Sequence, residues 1–198
     1  MLKTFLYDWG GLNVWLFHAI NAVHGSLLDA FMQLGTAVGG HANFPLYLGI
    51  AALIGYRSAG RSSDESRQAV LWLGVLTVFS VAYVLDGWLL GCLKPYLDFP
   101  RPPLALPIGS VIVVGQPELH HSLPSGHSSF AMLVAASFWP LLDKPQRILM
   151  GLFVLWVGLS RISLGAHFPA DVAAGFLSSL LLVLLVRFLS ARLSRPRT

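Results

Sequence analysis

The 198-residue chain is 55% hydrophobic and only 11% charged, with a mean hydropathy of +0.68. An ordinary soluble domain carries about 25% charged residues, so a chain this poor in charge can scarcely cover a water-facing surface, and a soluble helical domain is disfavoured. The net charge of +4 and pI near 9.6 come from short basic clusters between apolar stretches. That spacing argues against a nucleic-acid-binding run and for membrane topology.

At the N-terminus Lys3 is followed at once by Phe5, Leu6, Tyr7, Asp8 and Trp9. No compact apolar core ends in a small-residue cleavage site, so a cleaved leader is not expected. Residues 12–24 mix Val14, Trp15, Phe17 and Ile20 with Asn13, His18 and Asn21, which fits a helix lying in the membrane interface. Residues 27–38 form a short candidate span. Residues 44–56 form another, borrowing from 39–43 or from the arginines that follow. Residues 69–93 are long enough to cross a bilayer. Stretches 128–142 and 148–159 are shorter and extend into neighbouring polar motifs, and 169–189 is rich in Leu, Val and Ala. The expected fold class is all-α: a polytopic transmembrane bundle of six helices, five of them from residue 44 onward or its equivalents, in one domain covering 1–198. Cys92 lies within an apolar stretch and reads as a packing residue; a single cysteine excludes an internal disulfide and a thiolate metal cluster.

Loop charges orient the bundle. Arg57, Arg61 and Arg67, then Lys144 and Arg147, then Arg192, Arg195 and Arg197 fall on one side of an alternating topology. The positive-inside bias makes that side cytoplasmic. Segments 94–127 and 161–167 then face outward, and their cations need another explanation.

Those outward segments hold the unusual polar residues. Lys94 and Arg101 flank a proline-stiffened stretch that limits where the two cations can go. Taken alone, such cations most often snorkel to lipid head groups. Pro124-Ser125-Gly126-His127 precedes a span, with proline placed just inside the helix start. The free N–H groups of a first turn attract an anion, Gly126 allows close approach of a ligand, and Ser125 and His127 supply a hydroxyl and a proton carrier; a helix cap with an incidental histidine explains the tetrapeptide equally well. Ser160-Arg161 is followed by His167 and Asp171. Phe168 precedes a proline and should be non-helical, which puts Asp171 in the first turn of the last span. There it serves as a cap, or reaches back four residues to hold one nitrogen of His167 protonated and leave the other free to attack. Three cations, two histidines, one carboxylate and a glycine-opened helix start on one side match phosphoryl transfer, which is mostly positioning and charge neutralisation.

The three stretches resemble the signature motifs of the type 2 phosphatidic acid phosphatase superfamily: Lys, six residues, Arg-Pro; Pro-Ser-Gly-His; and Ser-Arg, five residues, His, three residues, Asp. All eleven defining residues stand at matching spacing between Lys94 and Asp171. The resemblance implies that His167 is the nucleophile and forms a phosphohistidine, that Asp171 orients it and that His127 protonates the leaving group. It implies that Lys94, Arg101, Ser125, Gly126 and Arg161 hold the phosphate, that no metal or other cofactor is needed, and that the site lies near the outer surface of a bacterial inner membrane, facing the periplasm or outside. The implied reaction is hydrolysis of a lipid phosphate or diphosphate. Undecaprenyl diphosphate is favoured, phosphatidylglycerophosphate or phosphatidic acid comes next, diacylglycerol diphosphate and lipid A phosphate are further candidates, and the partners are that lipid and the bilayer rather than nucleic acid. A lipid phosphotransferase differs only in the acceptor of the second step, and a non-catalytic lipid-binding or transport component would need the cations but not two poised histidines. The roles of Glu118, His120 and His121, a pair of loop histidines that invites a metal reading, and of Asp86, an ionisable residue inside a span, are left open by the motifs.

Overall fold

The computed structural model describes residues 7–193, so Lys3, Phe5, Leu6, Arg195 and Arg197 lie outside the described residues. The helices are α1 (Leu12–Asn21), α2 (Ser26–Val38), α3 (Phe44–Ala59), α4 (Glu65–Leu97), α5 (Pro102–Ala105), α6 (Gly126–Phe138), α7 (Lys144–Ser163) and α8 (Pro169–Leu193), and no strand occurs among the described residues. Local chemistry sets several of the ends. Asp64 caps α4 by accepting from the backbone N–H of Arg67 at 3.0 Å. Asp143 and Gln146 form a reciprocal capping box at the start of α7, both bonds 2.9 Å, a device that contributes about 1 kcal/mol.

Helices α4 and α8 are long and apolar enough to cross a membrane, and α2 with α3, bent by 55° at their junction, makes a third candidate if the pair counts as one span. Their outer faces expose large apolar side chains, among them Leu73, Val84 and Trp88 on α4 and Leu181, Leu185 and Phe188 on α8. Apolar surface of that extent is what hydrocarbon solvates. Helix α6 is different. Its 13 residues reach only about 20 Å, short of a hydrocarbon core, and from Ser128 to Phe138 all but Met132 are buried. It is the hub of the bundle, packed against α4, α7 and α8. Phe79 of α4, Phe130 and Leu133 of α6 and Val183 of α8 are wholly buried in one cluster. The helix ends at Phe138, and the remainder of the expected 128–142 span is a 3-10 turn over Trp139–Leu141 that contains Pro140. Cys92, expected to pack inside, is exposed instead.

Helix α1, expected in the interface, turns one face inward: Asn13, Phe17 and Asn21 are buried, whereas Trp15 is exposed. Asn13 Oδ1 accepts from the N–H of Ala170 at 2.9 Å. Asn21 bonds both the N–H and the C=O of Ile112, at 2.9 and 2.8 Å, and the C=O of Ser163 at 2.9 Å. Helix α1 therefore latches the 106–121 segment to the C-terminus of α7. Gly175 on α8 permits another close approach: a Cβ there would sit 2.5 Å from the carbonyl oxygen of Ser125. Any larger residue would push α8 away from the start of α6 and open the region where the motif residues meet.

Candidate active site

Four helix ends converge at one end of the bundle. Lys94 lies in the last turn of α4, Gly126 and His127 open α6, Arg161 is in the last turn of α7, and Asp171 is in the first turn of α8. Arg101 immediately precedes α5. Lys94, Arg101, Gly126, His127, Arg161 and His167 line a common cavity of about 340 Å³. Ser125 and Asp171, both wholly buried, stand behind its wall.

Ser125 is the N-cap of α6, and its Oγ accepts from the hydroxyl of Ser128 at 3.0 Å. Pro124, expected just inside this helix, precedes the cap instead, because the serine oxygen needs the N-cap position to reach the first-turn N–H groups. The Ser125 N–H donates to the carbonyl of Asp171 at 3.0 Å, which ties the starts of α6 and α8 together.

His167 sits in the non-helical link before α8 and is 1% exposed. Arg101 Nη1 donates to its Nε2 at 3.2 Å. A guanidinium offers only donors, so Nε2 must carry the lone pair and Nδ1 the proton. Nδ1 faces Asp171 Oδ2 at 3.4 Å. The arrangement leaves Nε2 nucleophilic and directed towards the cations. Burial, with smaller contributions from Arg101 and Arg161 that Asp171 opposes, pushes the His167 imidazole down to about 4. It is therefore neutral at physiological pH.

Asp171 is itself fixed from three directions. Its Oδ2 accepts from the Ser122 hydroxyl at 2.5 Å and from the Phe168 N–H at 2.8 Å, and its Oδ1 accepts from the Tyr7 hydroxyl at 2.8 Å. It is a cap and an imidazole partner at once. The carboxylate, after burial, holds the Tyr7 phenol well above its usual range, so Tyr7 remains a donor.

The cations are held in different ways. Arg101 is 5% exposed and donates to the carbonyl of His120 at 2.9 Å, while its Nη2 pairs with Glu118. Arg161 is 7% exposed, and its Nη1 donates to Thr36 Oγ1 at 3.2 Å. Its buried Nε has no hydrogen-bond partner among the described residues. A buried donor left unpaired is costly, and an anion in the cavity would satisfy it. His121 Nδ1 lies 3.2 Å from Asp98 and His120 Nδ1 lies 3.7 Å from the same carboxylate. Glu118 is engaged with Arg101, and no group of three or more candidate metal ligands gathers among the described residues.

Tyr7, Ser122 and Thr36 have no motif signal. Each is an ordinary residue far from its partner in sequence, and only the packing of α1 and α2 against α7 and α8 brings Tyr7 and Thr36 into place.

The model of the PAP2 superfamily matches residues 71–194. Lipid A 1-phosphatase of Rhizobium johnstonii is 33% identical over 108 residues, which span 54% of this chain and 43% of the relative. Phosphatidylglycerophosphatase B of Bacillus subtilis is 32% identical over 139 residues, 64% of this chain and 62% of the relative. The matched stretch is thus less than two thirds of either protein. Among solved structures, Aquifex aeolicus LpxE superposes with a TM-score of 0.71 at 25% identity, covering 88% of this chain and 94% of that one. The transmembrane PAP2-type phosphatidylglycerolphosphate phosphatase of Bacillus subtilis superposes with a TM-score of 0.65 at 25% identity, covering 96% and 90%.

Proposed function

The chain belongs to the PAP2 superfamily, and from that premise we propose that it is a metal-independent membrane phosphatase that hydrolyses a lipid phosphate or diphosphate through a phosphohistidine. The observation that carries this reading is the pair of bonds on His167: a donor-only guanidinium on Nε2 and a carboxylate facing Nδ1. The imidazole is thereby set in the tautomer that attacks, beside the cations that would hold the phosphate.

In the proposed reaction, Nε2 of His167 attacks phosphorus while Lys94, Arg101 and Arg161 neutralise the equatorial oxygens, helped by the N-terminus of α6 at Gly126 and its cap Ser125. The leaving oxygen departs with its electron pair and takes a proton from His127. Burial, then Arg161, His167, Lys94 and Arg101, push that imidazole down to about 3 in the free protein, so His127 carries its proton once the bound phosphate offsets those cations. Water then attacks the phosphohistidine and returns a proton to His127, and inorganic phosphate leaves. Asp171 holds Nδ1–H throughout. The names of the relatives support lipid A 1-phosphate and phosphatidylglycerophosphate among the candidate substrates, beside phosphatidic acid and undecaprenyl diphosphate.

The test is phosphate release from these four lipids by purified protein in detergent. We expect release from at least one of them, undiminished by EDTA and inhibited by vanadate, which mimics the pentacoordinate phosphoryl group. Loss in EDTA that a single divalent ion restores would overturn the mechanism, because the cations already supply the charge a metal would bring.

The same reading places the protein in a bacterial inner membrane with the site outward. The end of the bundle opposite the motif residues carries Arg61 and Arg67 near the start of α4, Lys144 and Arg147 at the start of α7, and Arg192 at the end of α8, which the positive-inside bias assigns to the cytoplasm. In a Cys92→Ser background, Ser110→Cys should react with an impermeant maleimide in cells whose outer barrier has been opened, and Ser63→Cys should not. The reverse pattern would invert the orientation.

A further inference from the structure

One polar cluster in the bundle is not used by the motif residues. Asp86, in the middle of α4, is wholly buried. Its Oδ1 accepts from the hydroxyls of Ser129 at 2.6 Å and Ser179 at 2.8 Å, and its Oδ2 meets Nε2 of His41 at 2.9 Å. An ionisable group at that depth is expensive and calls for a functional reason. The cluster has one outlet. His41 lines the same cavity as Lys94, His127, Arg161 and His167, and its side chain is 28% exposed.

The position of His41 comes from the break between α2 and α3. The chain bends there by 55° around a 3-10 turn, His41–Asn43. Asn43 secures the bend by donating to the carbonyls of Ala37 and Val38 at 2.6 and 3.2 Å. The imidazole lies against the rings of Tyr83, at 4.8 Å, and Phe130, at 5.2 Å. With Nε2 turned to Asp86, the remaining nitrogen, Nδ1, makes no hydrogen bond among the described residues. The turn also abuts the proposed leaving-group acid: a Cβ built on Gly40 would sit 4.0 Å from His127 Nε2. The ring is thus oriented by a carboxylate, and it shares the cavity with His127 and His167.

We propose that His41, held by Asp86, forms a subsite on the leaving-group side of the cavity that takes a second phosphate. This rests on the phosphatase reading above. The terminal phosphate lies on Lys94, Arg101 and Arg161 next to His167. The phosphate that carries the lipid lies against His41 and His127, accepting from Nδ1–H of a His41 ring that takes up a second proton with the diphosphate and keeps Nε2–H on Asp86. When the bond from the terminal phosphorus to the bridging oxygen breaks and the N–P bond to His167 forms, the lipid monophosphate departs with the electron pair, takes its proton from His127 and is held by His41. A simple phosphomonoester offers His41 little, because beyond the scissile oxygen its leaving group begins with apolar carbon. A diphosphate places charged oxygens there, and a cavity of about 340 Å³ is of a size that holds a small-molecule head group. His41 is a substrate-binding residue in this scheme and Asp86 a positioning residue.

The experiment compares farnesyl diphosphate with farnesyl monophosphate in detergent, using wild type, His41→Ala, His41→Gln and Asp86→Asn. His41→Ala should lower kcat/KM for the diphosphate roughly tenfold or more, the usual effect of losing a hydrogen bond to a charged group, with a much smaller change for the monophosphate. His41→Gln should recover part of the diphosphate activity. Asp86→Asn should shift the ratio of the two substrates in the same direction as His41→Ala. Equal losses on both substrates would mean a merely structural role, and unchanged kinetics would remove His41 from the site; either result overturns the proposal. A second arm needs no turnover: thermal stabilisation by inorganic pyrophosphate against inorganic phosphate. Wild type should prefer pyrophosphate and His41→Ala should lose that preference. A wild type that hydrolyses neither lipid but keeps this His41-dependent preference would sink the phosphatase reading and leave the subsite standing. No preference in wild type would sink the subsite.

Discussion

His167→Ala is expected to release no measurable phosphate from any lipid and to form no phosphoprotein. The expectation follows from where the one usable lone pair lies. Nδ1 is turned to Asp171, and Nε2 is the nitrogen that faces Arg101. Because the imidazole is pushed down to about 4, nearly every molecule at pH 7 already has that lone pair free of a proton. Alanine removes the atom that forms the bond to phosphorus. On the proposed reading no other imidazole takes its place, since His41 and His127 are assigned to the leaving-group side. The fold should survive: Arg101 keeps its bonds to the carbonyls of His120 and Ala166 and its pairing with Glu118, and Asp171 keeps Tyr7, Ser122 and the Phe168 N–H. Two measurements check the outcome. Steady-state phosphate release should fall by at least ~10³-fold, and the acid-labile, base-stable phosphate that marks a phosphohistidine should be absent after a rapid quench of the variant and present in wild type. Activity above a few per cent of wild type, or a phosphoprotein signal in the variant, would move the nucleophile elsewhere.

Much of this site was legible because its chemistry is local. Lys94 with Arg101, Ser125 with Gly126 and His127, and Arg161 with His167 and Asp171 each lie within eleven residues, and proline or a helix end fixes their relative placement. The four-residue offset from His167 to Asp171, across a proline that starts a helix, is enough to predict their approach. The long apolar helices were legible for a similar reason, since length and hydropathy act residue by residue. What could not be read depended on contacts distant in sequence. Tyr7 reaches Asp171 across 164 positions, and Thr36 reaches Arg161 across 125. Asp86 was visible as an anomaly in a span, yet nothing local connects it to Ser129, Ser179 or His41. The expected spans at 128–142 and 148–159 looked short for a bilayer. In α6 the shortness has a physical cause: a helix enclosed by α4, α7 and α8 is solvated by protein and need not match a bilayer's thickness. Cys92 reads as a packing residue yet is exposed, because an apolar stretch facing lipid has the same composition as one facing a core.

Asp171→Asn is expected to cost ~10³–10⁴-fold in kcat, by the reasoning that applies where a buried carboxylate fixes the tautomer of a catalytic imidazole. The carboxylate accepts from every neighbour: the Tyr7 and Ser122 hydroxyls, the Phe168 N–H and, on the tautomer argument, Nδ1–H of His167. An amide has one oxygen and one NH₂ group. If the oxygen stays with the Phe168 N–H and Ser122, the NH₂ faces Tyr7, which must reverse its hydroxyl. If the NH₂ turns to His167, it demands an acceptor at Nδ1 and drives the proton to Nε2, where it meets a donor from Arg101. In the second orientation the attacking lone pair is lost, and in the first a neutral amide oxygen holds Nδ1–H less firmly than a carboxylate does. The sign of the charge effect separates this from a simple change in protonation. Burial first, then Arg101 and Arg161, favour neutral His167, and Asp171 opposes them. Removing the negative charge therefore pushes the imidazole further down from about 4, so the variant is neutral at pH 7 just as wild type is. Raising the pH cannot restore activity lost to a wrong tautomer. In wild type the His167 protonation limb should appear only as pH falls through about 4, two to three units below an ordinary histidine. Nitrogen-15 NMR of labelled protein should give the Nδ1–H pattern for wild-type His167 and a mixed or Nε2–H pattern for the variant. The ratio of variant to wild-type kcat should stay flat from pH 5 to 8. Recovery towards wild type at alkaline pH, or more than a tenth of wild-type activity at neutral pH, would show that Asp171 acts through its charge or only as a helix cap.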